Sequence, residues 1–235
     1  MRIRKALIRA SLSTAILAAL LLVPAGLIAG QWIWPSGLVA VGVVGGATLV
    51  ANVTLAIWRP ASFDVRNQAL GVGRKKRQPW IDAVGLIVYL GVLLGWTILL
   101  PIDVFRLHLA PVPTPGVSAA GLAAMVLGQA ISYAAVWQNA FAAPTVHDQS
   151  GEGQVVIDTG IYGLIRHPLY AGNLVTFSGL ALWQGSYAAL AGVAVMLAFT
   201  IARIVVIEEP ELRRTLPGYE DYARRVRARL VPFVA

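Results

Sequence analysis

The chain has 235 residues, of which 57% are hydrophobic and only 13% charged, with a mean hydropathy of +0.71. An ordinary soluble domain carries about 25% charged residues, so the composition excludes one and indicates a membrane protein. The formal charge of +8 and pI near 10.3 would suit nucleic acid in magnitude, but the basic residues lie between and beside apolar runs, so no nucleic-acid partner is expected.

In chain order, uninterrupted apolar runs predict segments at 10–30, 37–58, 81–100, 116–140, 169–183 and 187–207. Most approach the roughly 20 residues needed to cross a hydrocarbon core. The fifth is short, and the tight link Gln184-Gly185-Ser186 makes a hairpin of the last two. The expected fold is an all-α polytopic transmembrane helical bundle with no separate soluble domain. The first run follows Arg2, Arg4, Lys5 and Arg9, as a signal peptide would. Its apolar part exceeds the usual run of roughly 7 to 15 residues and no small-x-small cleavage site follows, so it reads as a retained anchor.

Threading six segments from a cytoplasmic N-terminus puts 18 of the 19 basic residues on the cytoplasmic side, with Arg106 alone outside. Both chain ends are therefore expected in the cytoplasm, with the bundle in an inner or plasma membrane. The cluster Arg74-Lys75-Lys76-Arg77 reads as a topology signal or as a site for anionic head groups. Gly26/Gly30, Gly42/Gly46 and Gly91/Gly95 have the GxxxG spacing that lets helices approach closely.

Three polar segments converge on the cytoplasmic side: "PTVHDQSGEGQVVIDTGIYGLIRHP", "ARIVVIEEPEL" and "LPGYEDYARRVRARLVPFVA". His167 precedes Pro168, which disfavours helix for the residue before it and suits a first helical turn, so the histidine closes a loop at the mouth of the fifth segment. Arg166 then reads either as a snorkelling helix-end marker or as part of a site. Glu208 and Glu209 are locally costly, because adjacent carboxylates repel and acids are unfavourable at a helix C-terminus. A cationic or polyhydroxylated ligand would explain that cost. After Pro217, Tyr219, Tyr222, Val226 and Leu230 follow a 3, 4, 4 spacing, predicting an interfacial C-terminal helix with arginines on its other face, either lying against anionic lipid or also covering the pocket from below.

The absence of cysteine removes disulfides, thiolate ligands and thiol nucleophiles. His108, His147 and His167 lack i,i+4 spacing, so no structural or catalytic metal is expected. Neither Gly71-Val72-Gly73 nor Gly151-Glu152-Gly153 extends to GxGxxG, so no Rossmann fingerprint is present.

"GIYGLIRHPLYAG", followed by "EEPEL" and "LPGYEDYARRVRARLVPF", resembles the isoprenylcysteine carboxyl methyltransferase and phospholipid methyltransferase superfamily of integral membrane enzymes over about residues 145–233. The resemblance implies N-terminal transmembrane helices over 1–140 and a methyltransferase-like region over 141–235 with a cytoplasmic pocket for S-adenosylmethionine. It assigns to that pocket His147, Gln154, Val155, Val156, Ile157, Tyr162, His167, Pro168, Leu169, Tyr170 and Glu208. The family commonly has glutamine where this chain has His147, and histidine where it has Gln154.

It also implies an arginine four residues before the first glutamate as a substrate contact. Arg203 stands five before Glu208, which at about 100° per residue puts the two roughly 140° apart on an α-helix. Either a local bulge restores the register or Arg203 only snorkels. The expected reaction is methyl transfer to a lipophilic acceptor, an isoprenoid-type carboxylate or a lipid amine, with Arg203 on the substrate and Glu209 or His167 as proton acceptor for an amine. A membrane sterol or enone reductase using NADPH is the alternative enzyme. A membrane scaffold is the non-enzymatic one.

Overall fold

The computed structural model describes residues 1–69, 80–141 and 154–234. The basic cluster at 74–77 and His147 lie outside these. Helices make all the regular structure among the described residues. α1 (Arg2–Ala29) ends at Gly30, whose φ of 69° is the left-handed cap that glycine adopts without strain. α2 (Pro35–Trp58) and α5 (Pro115–Gln138) each open on proline, and Thr114 accepts the Val117 N–H to cap α5. α4 (Trp80–Ile102) continues through a π turn, Asp103–Leu107. α6 (Pro168–Trp183) and α7 (Ala189–Arg203) form the hairpin, and a second π turn, Ile204–Glu208, carries α7 into α8 (Glu209–Thr215).

Among the described residues, five helices are long and apolar enough to cross a membrane. α6, at 16 residues, is shorter and is held between α5 and α7. Large apolar side chains such as Ile8, Leu12, Ile16 and Leu27 point outward from the bundle, as a lipid solvent allows. The core instead holds Leu21, Trp34, Trp96, Leu100, Met125 and Met196.

Three expectations change. The stretch after Trp58 is not all loop: in α3 (Pro60–Ala69) the buried Phe63 packs into a cluster with Ala6, Leu55, Ala56 and Val136. The C-terminal helix is brief: α9 (Tyr219–Arg225) stops before Val226 and Leu230, and Tyr219 and Tyr222 face the protein interior instead of lipid. The GxxxG pairs are not the close contacts. Around Gly30, Gly42, Gly46, Gly91 and Gly95 there is open space.

The tight seam joins α5 to α6 through glycines seven apart, Gly121/Gly128 on one helix and Gly172/Gly179 on the other. A Cβ on Gly128 would lie 2.5 Å from the Thr176 nitrogen and one on Gly172 2.7 Å from the Gly128 oxygen. Backbone thus meets backbone, and side chains fix the register: Gln129 donates to Thr176 (3.3 Å) and Ser132 to Asn173 (3.2 Å).

At the far end of the hairpin, Ser186 donates to buried Asp103 (2.5 Å) and accepts the Ala189 N–H (2.9 Å), tying the turn to the end of α4. The seam leaves no room for a methyl group. Gly128→Ala should lower the melting temperature in detergent, with an overpacking cost of about 1–3 kcal/mol, whereas Gly46→Ala should not. Equal melting of the two variants would mean that the seam yields.

Candidate active site

The site is assembled where the loop before α6, the α7–α8 junction and the C-terminal segment meet. A 3-10 turn, Gly160–Gly163, starts at a left-handed glycine (φ 58°) pressed against Gln138, whose side-chain oxygen accepts the Ile161 N–H at 3.0 Å. The chain then runs extended into Pro168, with His167 as the residue capping α6. Two backbone bonds hold this step from the tail: Arg166 N–H to Ala228 O (3.0 Å) and His167 N–H to Arg229 O (2.9 Å). Tyr222 adds a third, donating its hydroxyl to the Tyr162 carbonyl at 2.8 Å.

Beneath the step lies an ionic network. Glu209, with its side chain 5% exposed, pairs with Arg166 Nη2 at 2.9 Å and His167 Nε2 at 3.3 Å, and accepts from Arg229 at 3.4 Å. Glu208 accepts the Tyr170 hydroxyl at 2.7 Å and lies 3.5 Å from His167 Nδ1 and 3.6 Å from Arg203 Nη1. Arg203 also donates to the Tyr170 hydroxyl, with its guanidinium 5.8 Å from that ring's centroid. The expected cost of the glutamate pair is therefore met inside the protein by arginines, a histidine and a tyrosine. Arg166 is neither a snorkelling residue nor a helix marker, since its side chain is only 4% exposed.

Of the two readings of Arg203, the bulge is realised. In the π turn the Glu209 N–H bonds to the Ile204 carbonyl, one residue farther back than in an α-helix. The turn absorbs the extra residue, and Arg203 and Glu208 meet on one face.

Above the network opens a cleft of about 110 Å³. Its walls include Gln154, Val155, Val156, Ile157, Tyr162, His167, Pro168, Leu169, Tyr170 and Glu208, every described residue assigned to the cofactor pocket from the sequence. Arg203 and Glu209 are not among the lining residues. The cleft also takes in residues that sequence reasoning missed, among them Arg166, Asn139, Leu212, Tyr219 and Tyr222. The signal for the tyrosines was present in the 3, 4, 4 stripe, read as an interfacial helix on lipid that could also cover the pocket from below.

Burial pushes the Tyr162 phenol up to about 12, against a hydrogen bond from Asn139 that lowers it. Burial alone would lower the His167 pKa, but its hydrogen bonds to Glu208 and Glu209, and their charges, hold it above its ordinary value of 6.5. Among the described residues no three His, Asp or Glu side chains are grouped to hold a metal ion.

Residues 117–217 match the family model described as phospholipid methyltransferase. The nickel-cobalt-cadmium resistance protein NccN of Alcaligenes xylosoxydans xylosoxydans is 36% identical over 73 residues, 31% of this chain and 34% of that protein. The cobalt-zinc-cadmium resistance protein CzcN of Cupriavidus metallidurans is 32% identical over 77 residues, 33% of this chain and 36% of that protein. The match thus spans about a third of the length of these curated relatives. The fold is similar to that of the eukaryotic intramembrane Ras methyltransferase ICMT (isoprenylcysteine carboxyl methyltransferase), with a TM-score of 0.51 and 20% identity over 94% of this chain and 75% of that chain.

Removing one partner of a buried ion pair leaves an uncompensated charge, so Arg166→Met should cost about 3–5 kcal/mol of stability, read as loss of folded protein in a detergent melt. The raised His167 pKa sets a pH dependence. Its stabilisation is complete below pH 6.5 and is lost as the pH rises above that through the folded-state value. The melting temperature should fall over that range, and His167→Gln should flatten the fall; an unchanged slope would assign it to another group.

Proposed function

We propose that this chain, whose residues 117–217 match the phospholipid methyltransferase family model, transfers a methyl group from S-adenosylmethionine to a lipophilic acceptor reaching the site from the bilayer. The observation that carries this reading is the lining of the cleft. One wall has the aromatic faces of Tyr162 and Tyr170 beside the partly exposed carboxylate of Glu208, and the other has the apolar stretch Val155–Ile157. These groups fit a ligand that is cationic, hydroxylated and flat at one end. Tyrosine faces attract a sulfonium, a carboxylate takes an ammonium or ribose hydroxyls, and the apolar strip takes a purine.

S-adenosylmethionine, when bound, supplies an electrophilic methyl group. The protein's task is then alignment and exclusion of water more than acid–base chemistry. Arg203 and Glu209 act as positioning residues: Arg203 fixes Tyr170 and Glu208, and Glu209 fixes Arg166 and His167. His167 is engaged by Glu208 at 3.5 Å and Glu209 at 3.3 Å, so it serves as a fixed part of the wall and not as a free base. A carboxylate acceptor, which needs no base, suits such a site better than a lipid amine.

A second cavity, of about 330 Å³, gives the acceptor's apolar body a place. It lies among α1, α2, α4, α5 and α6, and Asn173, Phe177 and Leu180 of its lining continue the α6 stripe that begins at Tyr170. In this reading residues 1–140 mainly form the acceptor's chamber and 141–235 the cofactor's, the latter at the end where the threading puts 18 of 19 basic residues in the cytoplasm.

Calorimetry on detergent-purified protein tests the proposal, with S-adenosylmethionine and NADPH titrated separately. Binding of S-adenosylmethionine, weakened about tenfold or more by Glu208→Gln, is the expected result. Binding of NADPH alone would replace the methyltransferase with a reductase.

A further inference from the structure

Two buried polar atoms of cleft-lining residues have no partner among the described residues: the Nε–H of Arg166 and the hydroxyl of Tyr219. They come from distant parts of the chain, one from the loop before α6 and the other from the first residue of α9, and both residues line the cleft. Neither can turn away to find a partner. The other nitrogens of Arg166 are engaged, Nη2 with Glu209 at 2.9 Å and Nη1 with the Ala223 carbonyl at 3.4 Å, so rotating the guanidinium would break a buried ion pair. The Tyr219 ring packs edge-on to Tyr222, 5.7 Å between centroids, and the Tyr222 hydroxyl is already given to the Tyr162 carbonyl.

A buried donor left unmet keeps its full desolvation cost, and two of them on one wall of a ligand-sized cleft mark an acceptor that arrives with the ligand. The charge around them gives that acceptor its sign. Arg166 and Arg229 both pair with Glu209, two guanidinium groups to one carboxylate. Cations beside two open donors suit an anionic oxygen. Glu208, elsewhere in the same cleft, offers the opposite sign.

A ligand that carries a carboxylate and an ammonium on one carbon meets both demands. Resting on the methyl-donor reading above, we propose that Arg166 Nε and the Tyr219 hydroxyl form the subsite for the carboxylate of the amino-acid end of S-adenosylmethionine, with Glu208 receiving its ammonium. Tyr219 and Arg166 are then specificity residues, selecting a donor that retains its α-carboxylate. The ion pair of Arg166 with Glu209 fixes the guanidinium, and with it the position of the Nε–H.

The test compares S-adenosylmethionine with its decarboxylated analogue, which keeps the sulfonium, the nucleoside and the amine and lacks only the carboxylate. Calorimetry on the full chain in detergent should give the wild type about tenfold or greater preference for the intact molecule. Tyr219→Phe, which removes one oxygen, should weaken S-adenosylmethionine by about tenfold and leave the analogue within about twofold of the wild type. Equal affinity of the wild type for the two ligands would overturn the subsite, and so would a Tyr219→Phe effect of the same size on both. The wild-type comparison stands even if the variant folds poorly. Failure of folded wild-type protein to bind either ligand would instead remove the methyl-donor reading, and the subsite with it.

Discussion

The buried carboxylate of Glu209 is the point on which the site depends. It sits at the first residue of α8 and is reached by Arg166 and His167 from the loop before α6 and by Arg229 from the tail. These groups are far apart in sequence, and no other single side chain described here touches all three segments. A carboxylate taken out of water is costly to bury, and only close, hydrogen-bonded cations make its burial tolerable. The same requirement fixes the cations. Once Arg166 and His167 are drawn to Glu209, Pro168 and Tyr170 follow in position, and the wall of the cleft is set.

The π turn before Glu209 extends this argument to Glu208. In a regular α-helix two adjacent glutamates could not serve two networks and also share a face with a residue five positions earlier. The turn spends one residue to do so: Glu208 joins Tyr170 and Arg203, while Glu209 points into the ionic core. A helix irregularity thereby separates a carboxylate left open to a ligand from one consumed by the protein.

Much of the fold was legible in the sequence, because hydropathy reports lipid contact directly and prolines and glycines mark the helix ends. α3 escaped notice because one buried Phe63 in a polar stretch gives no periodic signal. The glycine spacing misled for a related reason: GxxxG describes one helix, whereas backbone-to-backbone approach needs a facing helix with its own gaps, as α5 and α6 provide. In the site, the contiguous motif residues from Gln154 to Tyr170 could be read off, since neighbours in sequence share a wall of the cleft. The partners of Arg166, the Glu209 carboxylate and the Ala223 carbonyl, could not, because contacts between segments so far apart leave no trace in local pattern. The assumption of 100° per residue likewise could not choose between the two readings of Arg203.

The tail that crosses the site has a consequence for how the protein is made. The backbone of Arg166 and His167 is satisfied by the carbonyls of Ala228 and Arg229, and the Tyr162 carbonyl by Tyr222. None of these partners exists when the hairpin α6–α7 first enters the membrane, because all of them are synthesised after it. The cleft is completed only once residue 229 has left the ribosome and folded back over segments already inserted. A ligand that needs the finished cleft therefore cannot bind to a nascent or truncated bundle, and its binding reports that insertion is complete.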